Sequence, residues 1–242
     1  MRNRRANVES KWGLWLVAGL LSSSLFLVAF GSAAEEPESD QALQAILSGG
    51  APENAADLKS MQKHLQELAA KAIPATVAVQ VGPAQGSGVI VSADGYVLTA
   101  AHVVGRPGRR AMIVLHDGRL VEGETKGAFR TMDAGLVKIT QDPASRGFAQ
   151  WPFAAMGDSA QLKPGQWCLA TGHPGGFQST GTPVVRVGRI LSLNAESAIT
   201  SDCTLIGGDS GGPLFDMLGQ VVGIHSRIGG PLTLNLHVPV QT

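Results

Sequence analysis

One segment of the chain has the make-up of a nucleophile turn: Gly207-Gly208-Asp209-Ser210-Gly211-Gly212-Pro213. A serine hydroxyl attacks a carbonyl efficiently when it projects from a turn and donors stand ready for the oxyanion that forms. Glycines on both sides supply the positive-φ conformations and the open space such a turn needs. The backbone amides of Gly208 and Ser210 are then placed to converge on one point as an oxyanion hole. A glycine-rich turn between strands is the plainer reading of any short G-x-S-x-G, but seven residues of this composition, with Asp209 ahead of the serine, go beyond it.

A hydroxyl is a weak nucleophile and needs a base. Six histidines are available, His64, His102, His116, His173, His225 and His237. His102 stands apart, at the end of an apolar strand in Leu98-Thr99-Ala100-Ala101-His102-Val103-Val104, where two small alanines leave space beside its ring. The imidazole must be held in one tautomer by a buried carboxylate. Asp133, in Thr131-Met132-Asp133-Ala134-Gly135-Leu136-Val137, immediately precedes an apolar run and can face a cleft. Read locally, it serves equally as a turn residue at a strand start. The scattered His and Asp residues have no compact ligand spacing, so neither a metal nor a cofactor is expected. Cys168 and Cys203 are too few for a disulfide scaffold or a four-ligand zinc site, and read as small buried hydrophobes left unpaired.

These side chains are far apart along the chain, so the elements between them must bring them together. After Pro74 the sequence turns into brief runs rich in Val, Ile and Leu: Thr76–Val81, Gly88–Val91, Tyr96–Ala100, Met112–His116, Leu120–Glu124 and Leu136–Ile139. A second set follows at Trp167–Thr171, Val184–Leu193, Pro213–Phe215, Gln220–His225 and Leu234–Pro239. Turn signals such as Ala93-Asp94-Gly95, His116-Asp117-Gly118 and Leu218-Gly219 separate them. Short strands at regular spacing, with no long helix between them, predict an all-β sandwich or barrel architecture. Asp142–Ala160, with Pro143 and Pro152, reads as a connector between two small antiparallel barrels, one over about residues 71–145 and the other over about 150–242.

The amino terminus reads differently. Arg2, Arg4, Arg5 and Lys11 stand against Glu9 alone, followed by an uncharged apolar stretch over residues 13–30 and the small residues Gly31-Ser32-Ala33-Ala34. That pattern describes a secretory signal cleaved after Ala34, with an uncleaved membrane anchor through 13–30 as the alternative. Both place the rest of the chain outside the cytoplasm. Residues 35–54 read as a linker with a short helical piece near Leu43–Leu47. Asp57, Leu58, Met61, Leu65, Leu68 and Ala72 then recur at helical spacing, with Asn54 or Asp57 as cap and Ile73-Pro74 as stop. Over all 242 residues, 44% are hydrophobic and 16% charged, a composition that folds rather than staying disordered. The formal net charge of +0 offers nothing to a nucleic-acid partner.

Together these motifs resemble the HtrA/Deg group of trypsin-like serine proteases. The resemblance runs through Gly86-Ser87-Gly88-Val89-Ile90-Val91, Asp94–Val104, Asp133–Ile139, Gly207–Leu214, Val222-Gly223-Ile224 and Asn235-Leu236-His237-Val238-Pro239, covering roughly residues 71–242. It implies two six-stranded antiparallel barrels with a His102, Asp133, Ser210 triad between them and the Gly208 and Ser210 amides as oxyanion hole. It also implies a primary substrate pocket near Thr204, Leu205, Ile206, Ser226, Arg227 and Ile228, His173-Pro174-Gly175-Gly176 as a rim loop rather than a second base, and a homotrimer. No carboxylate lies where Arg or Lys selectivity would need one, so small or medium apolar P1 side chains are expected.

Three departures stand out. The family usually has Asn before the nucleophile, whereas this chain has Asp209, as in digestive enzymes where it pairs with an amino terminus made by activation cleavage. No such terminus is evident ahead of Ala75–Val79, so Asp209 is expected to pair with Arg227 or backbone amides without a zymogen step. The sequence ends at Thr242 with no PDZ module, and Ile228–Leu234 is short for the family. The function expected is an extracytoplasmic serine endopeptidase acting on unfolded or damaged polypeptides. The alternatives are a protease-like chaperone that binds such chains with little catalysis, and an anchored scaffold assembling through helix 57–72.

Overall fold

In a computed structural model, residues 38–178, 181–194, 198–229 and 234–241 are described. The signal or anchor segment expected over 1–34 lies outside them, as do residues 230–233 of the short stretch before the last strand. The alternating apolar runs become β1 (Thr76–Val81), β2 (Ala84–Ile90), β3 (Tyr96–Ala100), β4 (Arg110–Val114), β5 (Leu120–Phe129) and β6 (Ala134–Ile139). A second six follow: β7 (Trp167–Gly172), β8 (Val184–Asn194), β9 (Ala198–Ser201), β10 (Pro213–Phe215), β11 (Val221–Ile228) and β12 (Asn235–Pro239). Each set closes into an antiparallel barrel, in the orders β1-β2-β3-β6-β5-β4 and β7-β8-β9-β12-β11-β10. The two orders are the same, so one topology is used twice, and closure leaves no free sheet edge.

Strand boundaries differ from the sequence expectation where glycine or brevity weakens the pattern. β2 starts at Ala84 rather than Gly88, because Gly86 and Gly88 look like turn residues in sequence but here let other backbone approach closely. β9 is four residues long and carries no apolar run of its own. His102 is not at a strand end. It lies in α3 (Ala101–Val104), a single helical turn that follows β3 directly and is closed by Gly105 at φ 76. β-branched Val103 and Val104 disguise that turn as more strand.

Two helices precede the barrels, α1 (Glu38–Leu47) and α2 (Ala55–Ala75). Both candidate caps of α2 are used: Asn54 Oδ1 accepts from the Ala56 and Asp57 amides, and Asp57 Oδ2 accepts from the Glu53 amide. Pro74 does not stop the helix, which ends one residue later at Ala75. At the last turn Pro74 interrupts little that would continue, and Thr76 Oγ1 donates to the Ala72 carbonyl at the helix end. The helices bury Leu47, Leu68, Ala72 and Ala75 in one cluster with Val89 of the first barrel and Leu169, Phe215, Met217, Val221 and Ile224 of the second. Separate clusters fill the barrels, Ile90, Ile113, Val137 and Trp151 among the residues in one, and Ile190, Ile199, Leu214 and Val222 in the other. No helix among the described residues is long and apolar enough to cross a membrane.

Candidate active site

His102 and Asp133 come from adjacent elements, α3 and the start of β6, and the structure brings them together. The His102 ring Nδ1 is 2.9 Å from both Asp133 carboxylate oxygens, and the His102 amide donates to Oδ1 at 3.1 Å. The Ala101 amide also donates to the Asp133 carbonyl at 3.1 Å, so side chain and backbone are tied to one short turn. Asp133 sits at φ 59, the one non-glycine residue with positive φ among those described. Aspartate tolerates this left-handed conformation better than most residues, at a cost the surrounding hydrogen bonds offset.

A third donor completes the carboxylate's surroundings. Ser226 Oγ, on β11 of the other barrel, donates to Asp133 Oδ2 at 2.6 Å. Burial pushes the Asp133 carboxyl up, but the hydrogen bonds from Ser226 and His102 outweigh it and hold the group below its ordinary value. The Asp133 side chain is 12% exposed and that of His102 51%, so an anion lies buried behind an imidazole that faces solvent. With a carboxylate accepting at Nδ1, the neutral ring carries its proton there and leaves Nε2 as a free base.

Ser210 reaches this place by docking onto the first barrel. Its carbonyl accepts from the Ser87 amide at 2.8 Å, and Ser87 Oγ donates to the Gly208 carbonyl at 2.7 Å. A side chain at Gly86 would collide with the Ser210 carbonyl and with Val103, which explains a glycine in mid-strand. Ser87 is held in turn by Thr99 Oγ1, which donates to its carbonyl at 2.6 Å. Gly208 has φ 101 and packs against the backbone of His173, Gly175 and Gly176, where any side chain would clash. The turn is thus clamped between a strand of one barrel and the His173 loop of the other. Among the described residues, no hydrogen bond joins the His102 ring to Ser210 Oγ. Such contacts are often long without substrate and tighten when the complex forms.

Beside Ser210 a pocket of about 150 Å³ is lined by Leu205, Ile206, Asp209, His225, Ser226, Arg227 and Ile228. Five of the six residues expected there line it, whereas Thr204 does not. His173 is fully buried at the end of β7, and burial lowers its pKa to about 4, so it stays neutral. Cys168 and Cys203 are unpaired and buried with their sulfurs 3.7 Å apart. No group of three or more metal-binding side chains occurs among the described residues.

Of the partners expected for Asp209, a backbone amide is found, the Ile206 N–H donating to Oδ2 at 2.9 Å, and Arg227 is not. Arg227 is exposed at the pocket rim, and Asp209 instead meets Arg186 of β8, Nη2 to Oδ2 at 3.1 Å and Nη1 to Oδ1 at 3.3 Å. A signal for it exists in sequence: Arg186 shares strand parity with the buried Gly188 and Ile190, so it points into the barrel. Its flanking valines made the run look like ordinary strand.

Comparison with known proteins agrees with this architecture. A family model described as trypsin-like peptidase domain matches residues 86–224. The chain is 36% identical over 163 residues to a probable periplasmic serine endoprotease DegP-like of Halomonas elongata, and 42% identical over 162 residues to one of the same description from Marinomonas sp.. Each match covers 64% of this chain and only 33% of the relative, so the chain answers to about a third of those proteins' length. Among solved structures, the HtrA-type protease AlgW with tripeptide is similar at a TM-score of 0.61 and 28% identity, over 73% of this chain and 60% of that one. AlgW with decapeptide matches in fold at a TM-score of 0.60 and 24% identity, over 73% of this chain and 64% of that one. A family match across more than half of the sequence, laid over twin six-stranded barrels, means that the chain belongs to the trypsin-like peptidase family, and HtrA-type proteases are among the proteins it is similar to.

Proposed function

We propose that the protein is an extracytoplasmic serine endopeptidase in which Ser210 is the nucleophile, His102 the base and Asp133 the group that orients the imidazole. The observation that carries this reading is the His102–Asp133 pair, 2.9 Å apart and backed by Ser226, beside a clamped serine turn. In the first step Ser210 Oγ bonds to the substrate carbonyl carbon and His102 Nε2 takes its proton. The negative charge that develops on the carbonyl oxygen is received by the Gly208 and Ser210 amides, each such donor supplying about 3 to 4 kcal/mol in comparable sites. The imidazolium, stabilised by Asp133, returns the proton to the leaving amine, and water repeats the sequence on the acyl-enzyme.

The pocket supports small or medium apolar P1 side chains. Leu205, Ile206 and Ile228 form apolar wall, and the one carboxylate in the lining, Asp209, is already paired with Arg186. A P1 lysine or arginine would bury a cation with no free partner. Unfolded or damaged polypeptides, entering as extended strands, are the substrate class we propose. The periplasmic names of the relatives and the character of residues 1–34 support an extracytoplasmic setting. A homotrimer belongs to the same proposal and is tested by light scattering on the purified protein.

Casein digestion by wild type and Ser210→Ala tests the core of it. An enzyme of this kind loses roughly 10⁶-fold in kcat with its nucleophile. Equal, negligible digestion by both proteins overturns the reading and favours a protease-like binder of unfolded chains.

A further inference from the structure

Asp209 is the residue through which this site departs from the arrangement its family resemblance implies, and it is deeply placed. Its side chain is 1% exposed, and it stands immediately before Ser210. Besides the two contacts to Arg186, Asp209 Oδ2 accepts from the Ile206 amide at 2.9 Å, while the Asp209 amide donates to the Ile206 carbonyl at 3.1 Å. Its own carbonyl accepts from the Gly212 amide at 2.8 Å. The carboxylate therefore closes a loop that begins at Ile206 and contains Gly207 and Gly208. That loop supplies one of the two amides proposed for the oxyanion and part of the pocket wall.

A buried anion needs a cation or it perturbs the structure around it. In digestive enzymes that carry Asp at this position, a freed amino terminus meets the need. Here no such amine can arrive while the fold is intact. α2 runs into β1 without a break, Thr76 is fully buried, and its amide donates to the Ile73 carbonyl at the helix end. Arg186 comes instead from the neighbouring strand, where it faces Ala170 of β7 across the ladder. Its guanidinium meets the carboxylate with two nitrogens, a geometry that fixes direction as well as charge. Its side chain is 17% exposed, so the pair is largely withdrawn from water.

We infer that Arg186 is a built-in activating cation: a positioning residue that, through Asp209, keeps the oxyanion loop in its working form without proteolytic processing. Burial pushes the Asp209 carboxyl up, and the Ile206 amide and Arg186 act against it, in keeping with a charge that depends on its partners. The inference rests on the proposed peptidase reading for its kinetic consequences. The geometry of the loop can be followed independently of activity.

The experiment compares wild type, Arg186→Met, Arg186→Lys, Asp209→Asn and the double variant Arg186→Met with Asp209→Asn. Kinetics on a chromogenic peptide are read together with hydrogen exchange over residues 203–212. Arg186→Met leaves Asp209 buried without its cation. It is expected to lower kcat about a hundredfold with little change in KM, on the scale of a lost oxyanion donor, and to speed exchange in the loop at least tenfold. Arg186→Lys recovers part of both. The double variant, in which no buried charge remains, recovers both more fully than Arg186→Met alone, and the kcat of the folded fraction separates positioning of the loop from a merely structural role.

Unchanged kcat and unchanged loop exchange in Arg186→Met overturn the inference. So does a loss in Arg186→Met that Asp209→Asn fails to relieve, or a fall in global stability with the kinetics of the folded fraction intact. If wild type itself shows no hydrolysis that depends on Ser210, the peptidase reading fails. Loop exchange in the same five proteins then decides the role of Arg186 alone.

Discussion

The triad candidates differ most in what holds them. His102 is half exposed and anchored through one nitrogen, whereas Asp133 receives hydrogen bonds from Ser226, the His102 ring and the His102 amide. The anionic form of Asp133 is therefore a product of its neighbours, and Ser226 is the one that can be removed without touching the proposed proton transfer. Ser226→Ala deletes the 2.6 Å donor and leaves burial opposed only by His102. The Asp133 carboxyl then rises toward or above its ordinary value, a shift that carbon-13 NMR of that carboxyl reads directly. A hydrogen bond to a charged group contributes about 1.5 to 3 kcal/mol before solvent screening. The shift expected is upward, with the rate at pH 8 falling less than tenfold. A carboxyl resonance whose titration is unmoved in Ser226→Ala refutes this account of Asp133. In sequence, Ser226 read as pocket lining alone, because its second role needs a hydrogen bond across the barrels to a residue 93 positions away. The contact between His102 and Asp133 was legible only through the family resemblance, since read locally Asp133 serves equally as a turn residue at a strand start.

At the scale of elements, β11 and β12 carry a buried polar chain that the proposed mechanism does not use. His225 and His237 face each other across the ladder, with their Nδ1 atoms 2.9 Å apart. His225 Nε2 lies 3.1 Å from the Thr171 carbonyl, and His237 Nε2 lies 2.7 Å from Ser201 Oγ. A carbonyl only accepts, so the partners assign the protons in one direction: Ser201 donates to His237, His237 to His225, and His225 to Thr171. Every member is satisfied only while both rings are neutral. Burial lowers the His237 pKa to about 3 and His173 to about 4, and drives His225 well below its ordinary value, with the His237 charge adding to the effect. The unfolded chain, where histidine keeps its usual value near 6.5, therefore binds more protons below that pH. Stability is full above about pH 6.5 and falls as pH drops, by up to about 1.4 kcal/mol per pH unit for each such histidine. The raised carboxyls of Asp209 and Asp216 act in the opposite direction. Urea midpoints at fixed ionic strength should fall from pH 7 to pH 5, and the His225 and His237 ring resonances should not titrate over that range. Resonances that shift with a midpoint near 6.5 would show that the rings are not held neutral. Strand pairing of this sort was only half legible: both histidines lie in runs read as strands, but β9, which brings Ser201, has no pattern of its own.

For the molecule as a whole, the decisive feature is that the barrels are not joined by the site alone. The cluster containing Leu68 and Ala72 of α2 also holds Val89 of the first barrel and Phe215, Met217 and Val221 of the second. Leu68 is 4% exposed, and His64 on the same helix lies 2.8 Å from the Met217 carbonyl through Nε2. The helical spacing of these residues was plain in sequence, and simple packing against the following domain was the expectation. That the helix closes the seam between both barrels was not plain, since the second barrel's partners lie more than a hundred positions later, and periodicity reports which face is apolar but not what covers it. Because Ser210 is held by Ser87 across the same seam, loosening the helix should be felt at the site. Leu68→Ala removes a buried side chain and leaves a cavity, a change that costs about 2 to 5 kcal/mol. With the helix shared, the loss should lower a single unfolding transition, observed at the same temperature by Trp151 fluorescence in a background whose other tryptophans are replaced by Phe, which reports the first barrel, and by the accessibility of Cys168 and Cys203, which reports the second. If α2 were an appendage of one barrel, the two probes would separate, one moving down and the other staying where it is in wild type. Coincident transitions displaced together are the result that a common core requires.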